Sequence, residues 1–259
     1  MLGMHPLSRG PEKTSIVTPD GGEPLLELQG LTRSFGAVRV IEQLHLQVRR
    51  GELLGVLGPN GAGKSTLFNL VTGTLAASAG KVLFEGQNVT GWSAWQRCRM
   101  GMGRTYQIPK PFRNMTVFEG VLVAAAHARG LGLTEAKQVA WQALELSGLA
   151  HRSGQFAGDL SLLELKRLEL ARALAVQPRL LLLDEIAGGL TEAECDQLLD
   201  IVRSLRDRGI TIIWIEHVLH ALQRVATRLA VLHGGAILAE GEPAAVLADA
   251  RVRDAYLGT

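Results

Sequence analysis

Gly58-Pro59-Asn60-Gly61-Ala62-Gly63-Lys64-Ser65 decides the fold. The stretch follows a short apolar run, Glu52–Leu57, that reads as a strand, and it opens Lys64–Gly73, which reads as a helix. Its glycines let backbone N–H groups turn inward and meet phosphate oxygens with no Cβ in the way. Lys64 supplies a cation for the β- and γ-phosphates, the Ser65 hydroxyl suits Mg²⁺, and Thr66 completes the binding set. The helix behind the loop turns its positive end toward the same anion.

Working outward, the next informative run is Leu180–Leu183 followed by Asp184-Glu185. Four leucines suit a central strand buried on both faces, which delivers the two acids to its C-terminal end, where open α/β sheets bind ligands. In that place Asp184 holds Mg²⁺ through water, and Glu185 orients or deprotonates an attacking water. Upstream, Leu160–Leu174 reads LSLLELKRLELARAL, a helix that ends shortly before this strand.

The remaining pattern predicts an α/β chain. Leu25–Leu31 and Val38–Val48, joined by a turn at Gly36, predict a small antiparallel sheet, with Lys81–Phe84 as a further strand. From about 93 to 158 the pattern is mainly helical, clearest at Thr116–Ala128 and Thr134–Ser147. Strand–helix alternation then resumes through Arg179–Leu183, Glu192–Asp207, Ile210–Ile215, His217–Thr227, Leu229–Leu232 and Pro243–Asp249. Short apolar strands alternating with helices predict a mostly parallel sheet covered on both faces. The expected organisation is a disordered extension over 1–24 and one nucleotide-binding domain over 25–259, with a helical subdomain inserted at about 93–163.

Composition narrows the partners. The 259 residues are 47% hydrophobic and carry a net charge of +2, so nothing demands nucleic acid or an anionic membrane surface. Cys98 and Cys195 fit no metal-ligand spacing and suit a reduced setting. No run approaches the ~20 apolar residues that span a bilayer. Any membrane association is therefore expected to go through a partner.

The chain resembles the ATP-binding subunits of ABC transporters, and within them the ATPases of branched-chain amino acid-type importers. The phosphate loop and Asp184-Glu185 carry the resemblance, with Arg104-Thr105-Tyr106-Gln107, Phe112, Met115-Thr116-Val117, Ile215-Glu216-His217 and the ending Arg253-Asp254-Ala255-Tyr256-Leu257-Gly258. It implies a P-loop NTPase core with an antiparallel β subdomain and an inserted helical one. By the same resemblance, Gln107 senses the γ-phosphate and its Mg²⁺, and His217 hydrogen-bonds the γ-phosphate and helps align the water. Phe35 stacks on adenine. Ala187–Thr191 lies where such ATPases carry the loop between nucleotide sites, with Thr191 in place of an acid, and takes no catalytic role.

The family's Leu-Ser-Gly-Gly-Gln signature is here Leu160-Ser161-Leu162-Leu163-Glu164, in register with Lys166-Arg167 and Ala171-Arg172-Ala173-Leu174. In the family this helix start meets the γ-phosphate of the opposite subunit, so Ser161 joins the expected nucleotide contacts. A bulky Leu163 is expected to obstruct that approach, while Ser161-x-x-Glu164 forms a capping box. The implied assembly is a head-to-tail dimer, favoured as a heterodimer with a glycine-signature partner. It sits on two membrane permease subunits at the cytoplasmic face and is served indirectly by a solute-binding protein. ATP and Mg²⁺ are the implied ligands. The alternatives are a non-transport ABC ATPase acting on a nucleic-acid or protein partner, and a regulatory ATP-binding subunit with little turnover. Near-neutral charge and the lack of a long coiled coil disfavour the first, and intact Glu185 and His217 disfavour the second.

Overall fold

The computed structural model describes residues 23–257. The extension expected over 1–24 lies outside them except for Glu23 and Pro24, as does Gly258 of the C-terminal motif.

Two sheets share the molecule. The first joins β1 (Leu26–Phe35), β2 (Val38–Val48), β4 (Ala79–Phe84) and β5 (Gln87–Asn88), antiparallel throughout in the order β2-β1-β4-β5. The second joins β3 (Leu53–Leu57), β6 (Met102–Arg104), β7 (Leu180–Asp184), β8 (Thr211–Ile215), β9 (Arg228–His233) and β10 (Ala236–Gly241). Its order is β10-β9-β3-β8-β7-β6, parallel except for the hairpin of β9 with β10.

The uninterrupted apolar runs explain the second sheet. Every residue of β3, β7 and β8 is buried, because both faces are covered. Successive side chains enter opposite cores. Leu181, Leu183, Ile212 and Trp214 join one cluster with the helices, whereas Leu180, Leu182, Ile213 and Ile215 join the other with the antiparallel sheet and α1 (Lys64–Thr72).

The helical segments follow their caps. After α2 (Ala94–Arg99) come α3 (Val117–Arg129), α4 (Leu133–Leu146) and α5 (Leu162–Leu174), which pack against one another. The chain then adds α6 (Glu192–Asp207), α7 (Leu219–Val225), α8 (Pro243–Ala248) and α9 (Ala250–Leu257). Thr116, Ser161 and Thr191 each close a capping box with the glutamate three residues on, at α3, α5 and α6. Thr191, noted above for the acid it replaces, is thus a helix cap.

The interval expected to be mainly helical also holds β6, which pairs in register with β7. Gly103 permits this, since a Cβ there would stand 2.7 Å from the Ala173 carbonyl oxygen of α5. Just before β6, the Arg97 side chain of α2 is 2% exposed. Its guanidinium donates to the Leu70 and Val71 carbonyls at the end of α1, both at 2.7 Å, and to those of Thr90 and Trp92. Burial lowers its pKa to about 10, which leaves it protonated at neutral pH.

Candidate nucleotide site

Four parallel strands end at the same edge and deliver the predicted residues there. Beyond β3 lies the phosphate loop, beyond β7 Glu185, beyond β8 Glu216 and His217, and beyond β6 the segment to Gln107. Asp184 pairs in register with Ile215, one strand from β3.

The loop curls around its own lysine. The Lys64 ammonium donates to the Gly58 carbonyl at 2.6 Å and to the Pro59 carbonyl at 3.0 Å, and Lys64 is 7% exposed. Burial lowers its pKa, while the charges of Glu185 and Asp184 oppose the shift. Gly63 leads into α1 at φ 103°, and a Cβ there would meet the Val40 carbonyl oxygen at 2.8 Å. No side chain caps α1, so its first amides stay available to an anion. Asn60, Gly61 and Ser65 are exposed on this loop, Ala62 is buried, and Thr66 is half-buried.

Asp184 is buried and clamped. The Arg104 guanidinium donates to Asp184 Oδ2 at 2.9 Å and to Asn69 Oδ1 of α1 at 2.6 Å, and it lies over the rings of Phe68 and Tyr106. The Thr105 hydroxyl accepts the Asp184 amide. Among the described residues, no hydrogen-bond donor meets Asp184 Oδ1.

Glu185 turns the chain out of β7 with a left-handed φ of 46°, uncommon for a residue with a side chain. Its amide donates to the Ile215 carbonyl at 2.9 Å. Its carboxylate Oε2 accepts from Gln107 Nε2 at 2.6 Å and lies 3.5 Å from His217 Nδ1. Gln107, Glu185 and His217 line a cavity of about 390 Å³ together with Leu162, Lys166 and the backbone of Gly188-Gly189.

Three residues without an assigned role complete this arrangement. Glu216 is fully buried, and its carboxylate accepts the amides of Ala187 at 2.7 Å, His217 and Val218, which shapes the turns around His217 and Ile186. Burial raises its pKa against those hydrogen bonds. Arg104 clamps Asp184, as described, and the buried Lys166 reaches into the site from α5. Their motifs are visible in the sequence, yet nothing local reveals partners so far along the chain.

Two predicted residues take their contacts elsewhere. Phe35 is half-exposed at the end of β1, with the Arg33 guanidinium 4.6 Å from its ring centroid. Ser161 caps α5, its hydroxyl accepting the Glu164 amide, while Arg152 donates to Glu164 at 2.7 Å. The signature leucines also differ from expectation. Leu163 is 8% exposed and turned into the core, whereas Leu162 is 43% exposed beside Gly189. Helical geometry separates the two by about 100°, so Leu162 is the bulky group on the surface.

The residues fit the ligands that this edge implies. An ammonium ringed by carbonyls beside uncapped amides suits phosphate, and the oxygens of Ser65, Asp184 and Gln107 suit a hard divalent cation.

Residues 41–188 match the family described as ABC transporter. The chain belongs to that family. As an ABC transporter ATPase it also matches, over residues 236–259, the segment described as branched-chain amino acid ATP-binding cassette transporter. It is 35% identical over 251 residues to the high-affinity branched-chain amino acid transport ATP-binding protein LivG of Escherichia coli K12, covering 91% of this chain and 98% of that one. To BraF of Pseudomonas aeruginosa, of the same description, it is 34% identical with the same coverage. Among solved structures, the ADP conformation of MJ1267, an ATP-binding cassette of an ABC transporter, superposes with a TM-score of 0.83 at 30% identity. That match covers 92% of this chain and all of MJ1267. The cassette fold and the ATPase assignment expected from the motifs are thereby established.

Proposed function

We propose that this ATPase energises the import of branched-chain amino acids or related small solutes, bound to permease subunits at the cytoplasmic face. The observation that carries the solute class is the C-terminal match over residues 236–259, reinforced by relatives described as branched-chain amino acid transport proteins along nearly their whole length.

In this reading Lys64, the loop amides and the start of α1 hold the triphosphate, and Phe35 stacks on the adenine. Ser65, Gln107 and, through water, Asp184 would hold Mg²⁺, which supplies charge neutralisation at the β- and γ-phosphates. Glu185 orients a water in line with the γ-phosphorus and accepts its proton. The water oxygen bonds to phosphorus as the bond to the β-bridging oxygen breaks, giving ADP and phosphate. Gln107 holds the Glu185 carboxylate by its hydrogen bond at 2.6 Å, and His217, 3.5 Å from the same oxygen, turns a nitrogen to the γ-phosphate.

The dimer is proposed as a heterodimer. Exposed Leu162 on α5 stands where a partner's triphosphate would approach, so a homodimer would carry two obstructed sites. With a glycine-signature partner, this chain's phosphate loop faces an open helix start, and its Glu185 performs most of the turnover. Disabling Glu185 and the partner's equivalent acid separately in the purified transporter tests this. Equal losses would overturn the asymmetry. Solute uptake by vesicles containing the assembled complex and a solute-binding protein tests the substrate class, and leucine-independent ATP turnover and transport would overturn it.

A further inference from the structure

Lys166 is a cation with no role in the reaction as derived so far. It lies on the second turn of α5, is 4% exposed, and reaches out of the helical packing into the nucleotide edge. Its ammonium donates to two main-chain carbonyls, those of Gln107 at 3.0 Å and Glu185 at 3.2 Å. These two residues also meet through their side chains, at 2.6 Å. One ammonium therefore closes a ring through both backbones of the Gln107–Glu185 contact.

The position is chemically demanding. Burial lowers the Lys166 pKa, and the negative charges of Glu216, Glu185 and Asp184 oppose that shift. An ordinary apolar side chain would fill the space at less cost. A charge-assisted bond to the Glu185 carbonyl has a specific use, because that residue holds a left-handed φ of 46° that its side chain disfavours. Its amide is fixed on Ile215, and the ammonium fixes the other side of the same residue.

We propose that Lys166 is a positioning residue for hydrolysis, a clamp carried by the signature helix that aims the Glu185 carboxylate and holds Gln107 against it within one subunit. The inference rests on the reading of Glu185 as the water-directing group. Through this clamp α5 acts on its own subunit's carboxylate, independently of whatever its N-terminus meets in a partner.

The test compares wild type with K166M, K166R, E185Q and K166M/E185Q in the full-length protein. K166M is expected to lower kcat about 10- to 100-fold with KM for ATP within about threefold, because misplacing the carboxylate spares binding. K166R restores most of the loss, since a guanidinium also bridges two carbonyls. In the E185Q background K166M costs little more, as both changes disable one group. A full multiplicative loss there would show that Lys166 acts elsewhere and overturn the clamp. If E185Q alone loses nothing, the reading of Glu185 fails instead. The clamp is then judged by amide hydrogen exchange, which K166M should accelerate in residues 105–109 and 185–189, with K166R reversing it. Unchanged exchange in both segments would overturn the clamp whatever Glu185 does.

Discussion

The Gln107 amide nitrogen donates to the Glu185 carboxylate at 2.6 Å, although 78 residues separate the two. This contact sets the amide nitrogen on the acid and leaves the amide oxygen turned away from it. Glu185→Gln keeps the shape of the site and removes its base. Turnover should fall about 10²- to 10⁴-fold while ATP binding persists. Steady-state hydrolysis alongside nucleotide titration checks this, and equal turnover would remove Glu185 from the mechanism.

Gln107→Glu would set two carboxylates at hydrogen-bonding distance. Like charges so close cannot both ionise easily, so the pair takes up a proton at higher pH than either acid alone. The acid limb of the kcat profile should move upward in pH relative to wild type. An unmoved limb would mean that residue 107 leaves the acid during turnover.

Lys64→Ala removes the ammonium that holds the Gly58 and Pro59 carbonyls and would face the triphosphate. Two losses coincide: the loop opens and the anion loses its cation. Isothermal titration with ATP should show binding weakened beyond measurement. Affinity equal to wild type would refute the role.

Arg104→Met leaves Asp184 buried without its ionic partner, at a cost of about 3–5 kcal/mol if the charge persists. Denaturant unfolding should register the loss, and added Mg²⁺ should recover part of it by meeting the same carboxylate. Wild-type stability with no response to Mg²⁺ would show the pair to be dispensable.

Glu164 gives a pH dependence of definite sign. The Ser161 backbone amide, and after it the Ser161 hydroxyl and Arg152, hold the carboxylate below its ordinary value of 4.5. A depressed folded-state value contributes stability that is full above 4.5 and lost as pH falls through the folded value. E164Q keeps a capping side chain without the titration. Thermal unfolding between about pH 7 and about pH 3 should therefore show the wild-type advantage over E164Q vanish on the acid side. A constant difference would contradict the linkage.

The phosphate loop and Asp184-Glu185 were legible because their chemistry is contiguous. A strand, a turn and a helix start place eight neighbouring residues with little help from the rest of the molecule. The sheet was legible for a related reason: LLLL and IIWI suit only a strand covered on both faces. Lys166 and Arg104 were opaque as actors because their partners arrive from 19 to 80 residues away. Leu163 is buried and Leu162 exposed, a difference that composition does not show because it does not tell which of two adjacent leucines the helix turns outward. Strand β10 escaped notice for want of a buried face: its residues are half-exposed or exposed, and its pairing with β9 slips between Ile237 and Ala239.

Arg97 gives the phosphate helix a fixed heel. α1 is about 13 Å long, with its first turn at the phosphate loop and two carbonyls of its last turn, those of Leu70 and Val71, gripped by that guanidinium. Sliding the helix along its axis would stretch those short bonds together, whereas tilting about the gripped end would stretch them least. A load applied at the loop is therefore converted into a swing. The same guanidinium belongs to α2, so the swing has its bearing in the segment that leads by way of β6 to Gln107.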